Sequence, residues 1–213
     1  MKDKTGRKVA IIVAHPDDET LWAGGTILAN PSWQYFIASL CRSKDQDRAP
    51  KFKVLLDTLG AEGKMADLDD GPEQIPLDEN EVEKTILKIL PGQSFDLVIS
   101  HHPNGEYTRH RRHEETSRAV IKLWHKGLLA IKELWLFAYE DGNKKYYPQA
   151  RQTADLYFLL SAEVWQEKYK LVTSLYGFQE NSWEARTTPK EESFWRFTNS
   201  EKAMNYLLQN TPL

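Results

Sequence analysis

The sequence predicts an α/β fold: a three-layer α/β/α sandwich around a mainly parallel, Rossmann-like sheet, in one domain spanning residues 1–213. Three observations lead there. Short, apolar, often β-branched runs at 9–14, 34–41 and 96–100 are too short for helices and read as buried strands. Stretches with apolar residues at helical spacing separate them. Two of the runs end abruptly in histidine, which puts polar side chains at strand C-termini, where open α/β sheets hold their ligands.

The elements follow in order. After the first strand, an acidic turn enters a helix over 20–29, which Asn30 and Pro31 end. The second strand is 34–41. A polar loop of mixed charge fills 42–50, then Phe52, Leu55, Leu56 and Leu59 recur as a helix stopped by Gly60. Residues 65–76 read as acidic and irregular, with a short edge strand at 66–68. Val82, Ile86, Leu87 and Leu90 share a helix face that ends at Pro91-Gly92. The strand over 96–100 leads through a loop to a helix over 111–125, with Ala119, Val120, Leu123 and Trp124 inward. A strand over 133–139, a polar linker over 143–153 and a late strand over 156–160 come next. A helix over 163–176 carries Trp165, Tyr169 and Tyr176 as a core stripe. The last stretch holds Phe194, Trp195 and Phe197, then a terminal helix over 202–208.

Composition excludes several classes. Hydrophobic content of 40% and charged content of 28% are those of a soluble globular protein. A net charge of -3 and a pI near 6.1 give no basic field for nucleic acid or anionic lipid. The charged amino-terminal residues, with only six apolar ones after them, fit neither a signal peptide nor a membrane span. Cys41 stands alone, excludes an internal disulfide and fits a reducing, cytoplasmic compartment. A homo-oligomer is compatible with all of this.

Chemistry concentrates at two strand ends. The first carries His15, Asp17, Asp18 and Glu19; the second carries His101 and His102, with His110 and His113 close behind. A helix cap would account for one acid in the first turn, but not for His-Pro-Asp-Asp-Glu in a row. A catalytic zinc takes three protein ligands and keeps one position open for water. His15 and Asp18 can offer two of them from one turn, and the other histidine-bearing strand end is the natural source of a third. His110 and His113, three apart, share a face of a first helical turn, so one can bind metal while the other meets substrate.

The run Ala14-His15-Pro16-Asp17-Asp18-Glu19, with His110-x-x-His113 far downstream, resembles the PIG-L (LmbE-like) family of metal-dependent de-N-acetylases. Arg48, placed before Leu59-Gly60, and His101-x-Pro-Asn-Gly-Glu-Tyr107 extend the likeness over roughly the first 140 residues. The resemblance implies His15, Asp18 and His113 as metal ligands, Asp17 as general base, and His110 as the imidazolium that polarises or protonates the tetrahedral intermediate. It implies Arg48 as a substrate contact and Zn2+ as the metal, with Fe2+, Co2+ or Mn2+ as alternatives fitting the same ligands. The family's Gly-His-Pro-x-His is here Tyr107-Thr-Arg-His110-Arg-Arg-His113, and His102 stands where Asp is common.

Other residues complete the expectation. His101 reads as a hydrogen-bonded support behind the site, and His102 as a residue of the cleft mouth or the solvent face. His125 at a helix end suits the helix dipole. Glu106 and Tyr107 are expected to shape the pocket rim. Arg109, Arg111 and Arg112 are expected to form a basic patch at its entrance that meets an anionic or phosphorylated substrate. The expected reaction is hydrolysis of an N-acetyl group from a small N-acetylglucosamine-type conjugate. The rival readings are a metal-dependent amidase for a thiol or peptide-like conjugate, and a non-catalytic, metal-stabilised sugar-binding module.

Overall fold

In the computed structural model, residues 6–92 and 94–210 are described, so the first few charged residues lie outside the described part. Seven strands form the central sheet: β1 (Lys8–Val13), β2 (Gln34–Cys41), β3 (Glu62–Leu68), β4 (Leu97–Ser100), β5 (Leu134–Phe137), β6 (Leu156–Leu159) and β7 (Glu191–Phe197), in the spatial order β3-β2-β1-β4-β5-β7-β6. The first five run parallel, with Ile11 opposite Ile37 on one side and Ile99 on the other. β7 lies antiparallel between β5 and β6.

The helices are α1 (Asp18–Ala29), α2 (Arg48–Leu59), α3 (Glu79–Ile89), α4 (Arg111–His125), α5 (Ala162–Lys170), α6 (Trp183–Thr187) and α7 (Ser200–Asn210). Alternation along the strands explains the two outer layers. Ala10, Ile12, Val98 and Leu136 face one way, onto Val82 and Ile86 of α3, Val120 and Leu123 of α4, and Leu207 of α7. Val9, Ile11, Ile99 and Phe137 face the other way, onto Leu21 and Ile27 of α1, Phe52 of α2, and Val172, just after α5. Apolar side chains on both faces are what a parallel sheet between two helical layers requires.

Three departures from the expected elements have physical causes. β7 is a full strand, unrecognised because the charged Glu191 and Glu192 open it. Glu192 is fully buried: its carboxylate accepts the Gly25 and Thr26 N–H groups (both 2.7 Å) and pairs with the equally buried Lys168 ammonium at 2.8 Å. That ion pair ties α1, α5 and β7 together, and neither charge could be buried alone. The helix expected over 163–176 is α5 followed by a π-helical turn, Leu171–Leu175, which leaves the buried Tyr176 hydroxyl donating to Glu19 at 2.8 Å. The strand expected at 66–68 is β3, which begins four residues earlier and pairs with β2.

The chain adds β2 and β3 on one side of β1, then crosses to lay β4 and β5 on the other. The crevice at this switch, outside the C-termini of β1 and β4, is where such sheets bind ligands. His15 and His101 follow those two strands.

Candidate active site

The turn after β1 is built around Asp17, whose φ of +130° is one that non-glycine residues rarely adopt. Its N–H donates to Glu19 Oε2 at 3.1 Å, and its carbonyl accepts the Thr20 and Leu21 N–H groups at 3.0 and 2.9 Å. The third acid of the motif, Glu19, is therefore a buried brace for the first, Asp17. The Asp17 side chain makes no capping bond to α1, which removes the simple capped-turn explanation. It faces the cleft instead, 3.4 Å from Arg48 Nη1.

Asp18 turns the other way. Its Oδ2 accepts the His15 N–H at 2.9 Å and lies 3.2 Å from His15 Nδ1 and 3.4 Å from His113 Nε2. The two ring nitrogens are themselves 3.1 Å apart. Three donor atoms thus converge on one point. Ligands sharing a tetrahedral ion at about 2.0–2.1 Å stand about 3.3 Å apart, so the set fits a metal. Electrostatics agree: burial works against charge on His15, but bonds to Asp18 and Asp70 push its pKa up to about 10, so the carboxylates favour a cation here.

Supporting groups fix each ring. His15 Nε2 lies 3.1 Å from Asp70 Oδ1, and Asp70 also accepts from Arg42 at 2.8 Å and Gln74 at 3.0 Å. An N–H shared with Asp70 leaves Nδ1 free to face the donor cluster. His113 Nδ1 lies 2.7 Å from Glu106 Oε1, off the ring's N–H axis. His101, fully buried, accepts the Ala14 N–H on Nε2 at 2.9 Å and meets Glu106 through Nδ1 at 2.8 Å. A metal could also be held by the buried group Asp18, His101, Glu106 and His113. The bond from Ala14 occupies the His101 atom nearest Asp18, however, which leaves His101 in the supporting place expected of it.

The loop from His101 to α4 brings the second half of the site in. Gly105 sits at φ +72°, and a Cβ there would collide with the Thr108 carbonyl, so the loop can tighten only around glycine. His110 is the extended residue before α4 and His113 lies in its first turn; their rings stack with centroids 4.1 Å apart. His110 Nδ1 is buried and makes no hydrogen bond. Burial, then His113 and His15, push the His110 pKa down to about 3. That downward push disfavours the imidazolium expected of His110 and favours a neutral ring.

A cleft of about 480 Å³ gathers His15, Asp17, Asp18, Arg48, Tyr107, His110 and His113. Arg48 opens α2, where the Asp45 carboxylate accepts its N–H at 2.8 Å; its guanidinium lies over Phe178, and the buried Nη1 makes no hydrogen bond. Burial and the Asp18 charge push the Asp17 pKa well above the carboxylate range, while Arg48 pulls it back.

Three expectations are corrected. Glu106 is no rim residue: it is 2% exposed, wedged between His101 and His113. Arg112 is 1% exposed and spent on Glu115 and the Asp69 and Ile75 carbonyls, while Arg109 is bound to Glu114, so these two give no entrance patch. His102 turns from the cleft to Tyr206 of α7, with 2.8 Å between its Nε2 and the hydroxyl.

Asp70, Arg42, Gln74, Trp183 and Glu184 also line the cleft and were not singled out from the sequence. Asp70 had a legible signal, since it lies just past the C-terminus of the parallel strand β3, as His15 lies just past that of β1. Trp183 had none.

Fold and site together define a hydrolase-type centre at the switch point of a doubly wound sheet. The model of the PIG-L family, described as GlcNAc-PI de-N-acetylase, matches residues 10–124, and the chain belongs to this family of hydrolytic de-N-acetylases. Comparison with curated proteins gave no match. Among solved structures, it is similar to the N,N'-diacetylchitobiose deacetylase of Pyrococcus horikoshii (17% identity, 97% of this chain and 88% of that one, TM-score 0.67). It is also similar to a deacetylase of the teicoplanin biosynthetic pathway (15%, 90% and 98%, 0.63). The 4-carboxy-2-hydroxymuconate hydratase GalB of Pseudomonas putida has the same fold (20%, 84% and 83%, 0.56). At these identities the likeness is one of fold. Among the described residues, no helix is long and apolar enough to cross a membrane.

Proposed function

We propose that the protein is a zinc-dependent deacetylase that hydrolyses the N-acetyl group of a small N-acetylglucosamine-type conjugate. The observation that carries this reading is the convergence of His15 Nδ1, Asp18 Oδ2 and His113 Nε2 at separations of 3.1–3.4 Å beside a half-buried Asp17 whose side chain faces the cleft and caps no helix. His15, Asp18 and His113 would hold the metal; bound there, it would acidify water and polarise the amide carbonyl. Two histidines and one carboxylate also accept Fe2+, Co2+ or Mn2+.

The chain's own groups supply the rest. Asp17, with its raised pKa, takes the proton of the attacking water and afterwards passes one to the leaving amine. Neutral His110 donates a hydrogen bond to the oxygen on which negative charge develops. Arg48, whose Nη1 is ion-paired with Asp17 but makes no hydrogen bond, faces the substrate and limits how far the Asp17 pKa rises. Tyr107 and Trp183, with rings 5.2 Å apart, wall the cleft with faces suited to a sugar ring.

The test is acetate release from N-acetylglucosamine and its glycosides by purified protein of measured metal content. Acetate formed by the wild type and not by Asp17→Asn supports the reading. A metal-loaded protein that releases a different acid from a thiol or peptide-like conjugate would move it to the amidase class. Binding of sugars with no turnover would make it a binding module.

A further inference from the structure

A single late segment of the chain reaches the acidic turn after β1 by two routes. It leaves the π-helical turn Leu171–Leu175 at Tyr176, reverses at Gly177 and arrives at Phe178. The Tyr176 N–H donates to the Leu171 carbonyl at 3.0 Å, and the Phe178 N–H donates to that of Val172 at 3.3 Å. Gly177 makes the reversal with a φ of +76°, in the left-handed region that favours glycine. Single π-turns of this kind recur at functional positions. Here the turn sets two rings side by side, with centroids 6.3 Å apart.

The first route runs through the backbone of Asp17. Tyr176 is 1% exposed, and its hydroxyl donates to Glu19 Oε1 across 157 residues of chain. The Thr20 hydroxyl donates to the same oxygen at 2.7 Å, while Glu19 Oε2 accepts the Asp17 N–H. Glu19 is fully buried, so these donors stand in for water around its carboxylate. The residue they hold is the one at φ +130°, a conformation that persists only where its surroundings over-determine it.

The second route runs through the Asp17 carboxylate. The Phe178 ring centroid lies 4.2 Å from Arg48 Cζ, and Arg48 Nη1 lies 3.4 Å from Asp17 Oδ2. A guanidinium over an aromatic face is attracted by the ring, which steadies it against swinging away. The other carboxylate near Arg48 is that of Asp47, farther off at 3.9 Å and itself paired with Lys51 at 2.6 Å. Tyr176 packs on Leu55 of α2, the helix that Arg48 opens, so both routes share one footing. Neither Tyr176 nor Phe178 lines the cleft.

We propose that Tyr176 and Phe178 are positioning residues for the general base. Tyr176 holds the Asp17 backbone through Glu19, and Phe178 holds the Asp17 carboxylate through Arg48. This rests on the proposed deacetylase reading and adds to it the device that keeps the base aimed. A base works only within hydrogen-bond reach of the proton it takes, so a small misplacement is costly in kcat. The proposed metal ligands have supports of their own, Asp70 behind His15 and Glu106 behind His113. Loosening the strap should therefore slow turnover without releasing metal.

The test uses Tyr176→Phe, which removes one hydroxyl, and Phe178→Leu, which keeps an apolar side chain without the aromatic face. Each is expected to lower kcat for acetate release about tenfold, with KM within about twofold and metal content unchanged. Kinetic coupling separates positioning from packing. Phe178→Leu should cost nothing further in an Arg48→Ala background, and Tyr176→Phe little further in a Glu19→Gln background. Wild-type kcat in a single variant, full additivity in its paired background, or loss of metal in step with kcat overturns that residue's role. Hydrogen exchange at the Asp17 amide reads the first route without turnover: Tyr176→Phe should speed it about tenfold and leave Ile11 unchanged. That selective change in a protein that releases no acetate would support the hold on Asp17 and sink the deacetylase reading. Acetate release that Asp17→Asn abolishes, with kcat and exchange unmoved by Tyr176→Phe and Phe178→Leu, would do the reverse.

Discussion

His15 Nδ1 and His113 Nε2 stand 3.1 Å apart although they are 98 residues apart in the chain, and Asp18 Oδ2 completes a triangle with them. Removing a corner should remove the metal. His113→Ala and Asp18→Ala are expected to retain less than about a tenth of the wild-type metal, measured by elemental analysis after dialysis. Chelation of the wild type should abolish acetate release, and added zinc should restore it. Full metal occupancy in both variants would place the ion elsewhere.

Asp17 is separated from that triangle by its backbone, so metal binding and proton transfer should come apart in a single variant. Asp17→Asn is expected to keep its metal and lose about 10²–10⁴-fold in kcat, the range typical of a general base. Loss of metal in parallel would make Asp17 a ligand.

The Arg48 guanidinium, 3.4 Å from the Asp17 carboxylate, opposes the rise in its pKa. A base works when ionised, so activity rises with pH through the Asp17 pKa. Taking the positive charge away disfavours the ionised form and raises that pKa. In Arg48→Ala the acid limb of the kcat/KM profile should move to higher pH by about one unit, and in Arg48→Lys by less. A limb that stays in place separates Arg48 from the base.

Asp70 acts on the metal only through the His15 ring. Asp70→Ala should weaken metal affinity by about 10–100-fold, as is usual for carboxylates behind metal-bound histidines. Competition with a chromogenic chelator reads this without reference to turnover.

Lys168 and Glu192 test the frame rather than the chemistry. Lys168→Met leaves the Glu192 carboxylate buried with only α1's N–H and hydroxyl donors. Breaking a buried pair on one side costs about 3–5 kcal/mol, which for a chain of this size lowers Tm by about 10 °C. A thermal melt within a degree or two of wild type would show that Glu192 is satisfied without its lysine.

Most of the parallel half of the fold was legible because β1, β2, β4 and β5 are apolar on both faces; β3, with Glu62, Lys64 and Asp67, is not, and only its end was legible. The histidine-bearing strand ends were legible because His-Pro-Asp-Asp-Glu has no structural use as a whole. What escaped was set by contacts distant in sequence. β7 begins with two glutamates, and only its meeting with Lys168 makes burial of one tolerable. Arg112 and Glu106 are polar residues beside the motif, and sequence proximity put them at the rim; their partners on other segments hold them inside. The proposed division between ligand and base at Asp18 and Asp17 rests on adjacent side chains that point apart. The positive-φ turn that separates the two side chains, and Glu19's hold on that turn, became visible only with Tyr176 alongside.

The position of β7 also bears on how the molecule comes together. β6 precedes β7 in the chain, yet among the described residues its strand pairing to the sheet is through β7 alone. During synthesis, β1 to β5 can zip in register as they emerge, whereas β6 waits without a partner until about thirty more residues have followed it. Glu192 travels with β7, so the anchor of α1 arrives at the same moment. The helix that carries Asp18 and Glu19 therefore depends for its anchor on a strand residue 167 positions further along the chain than Gly25.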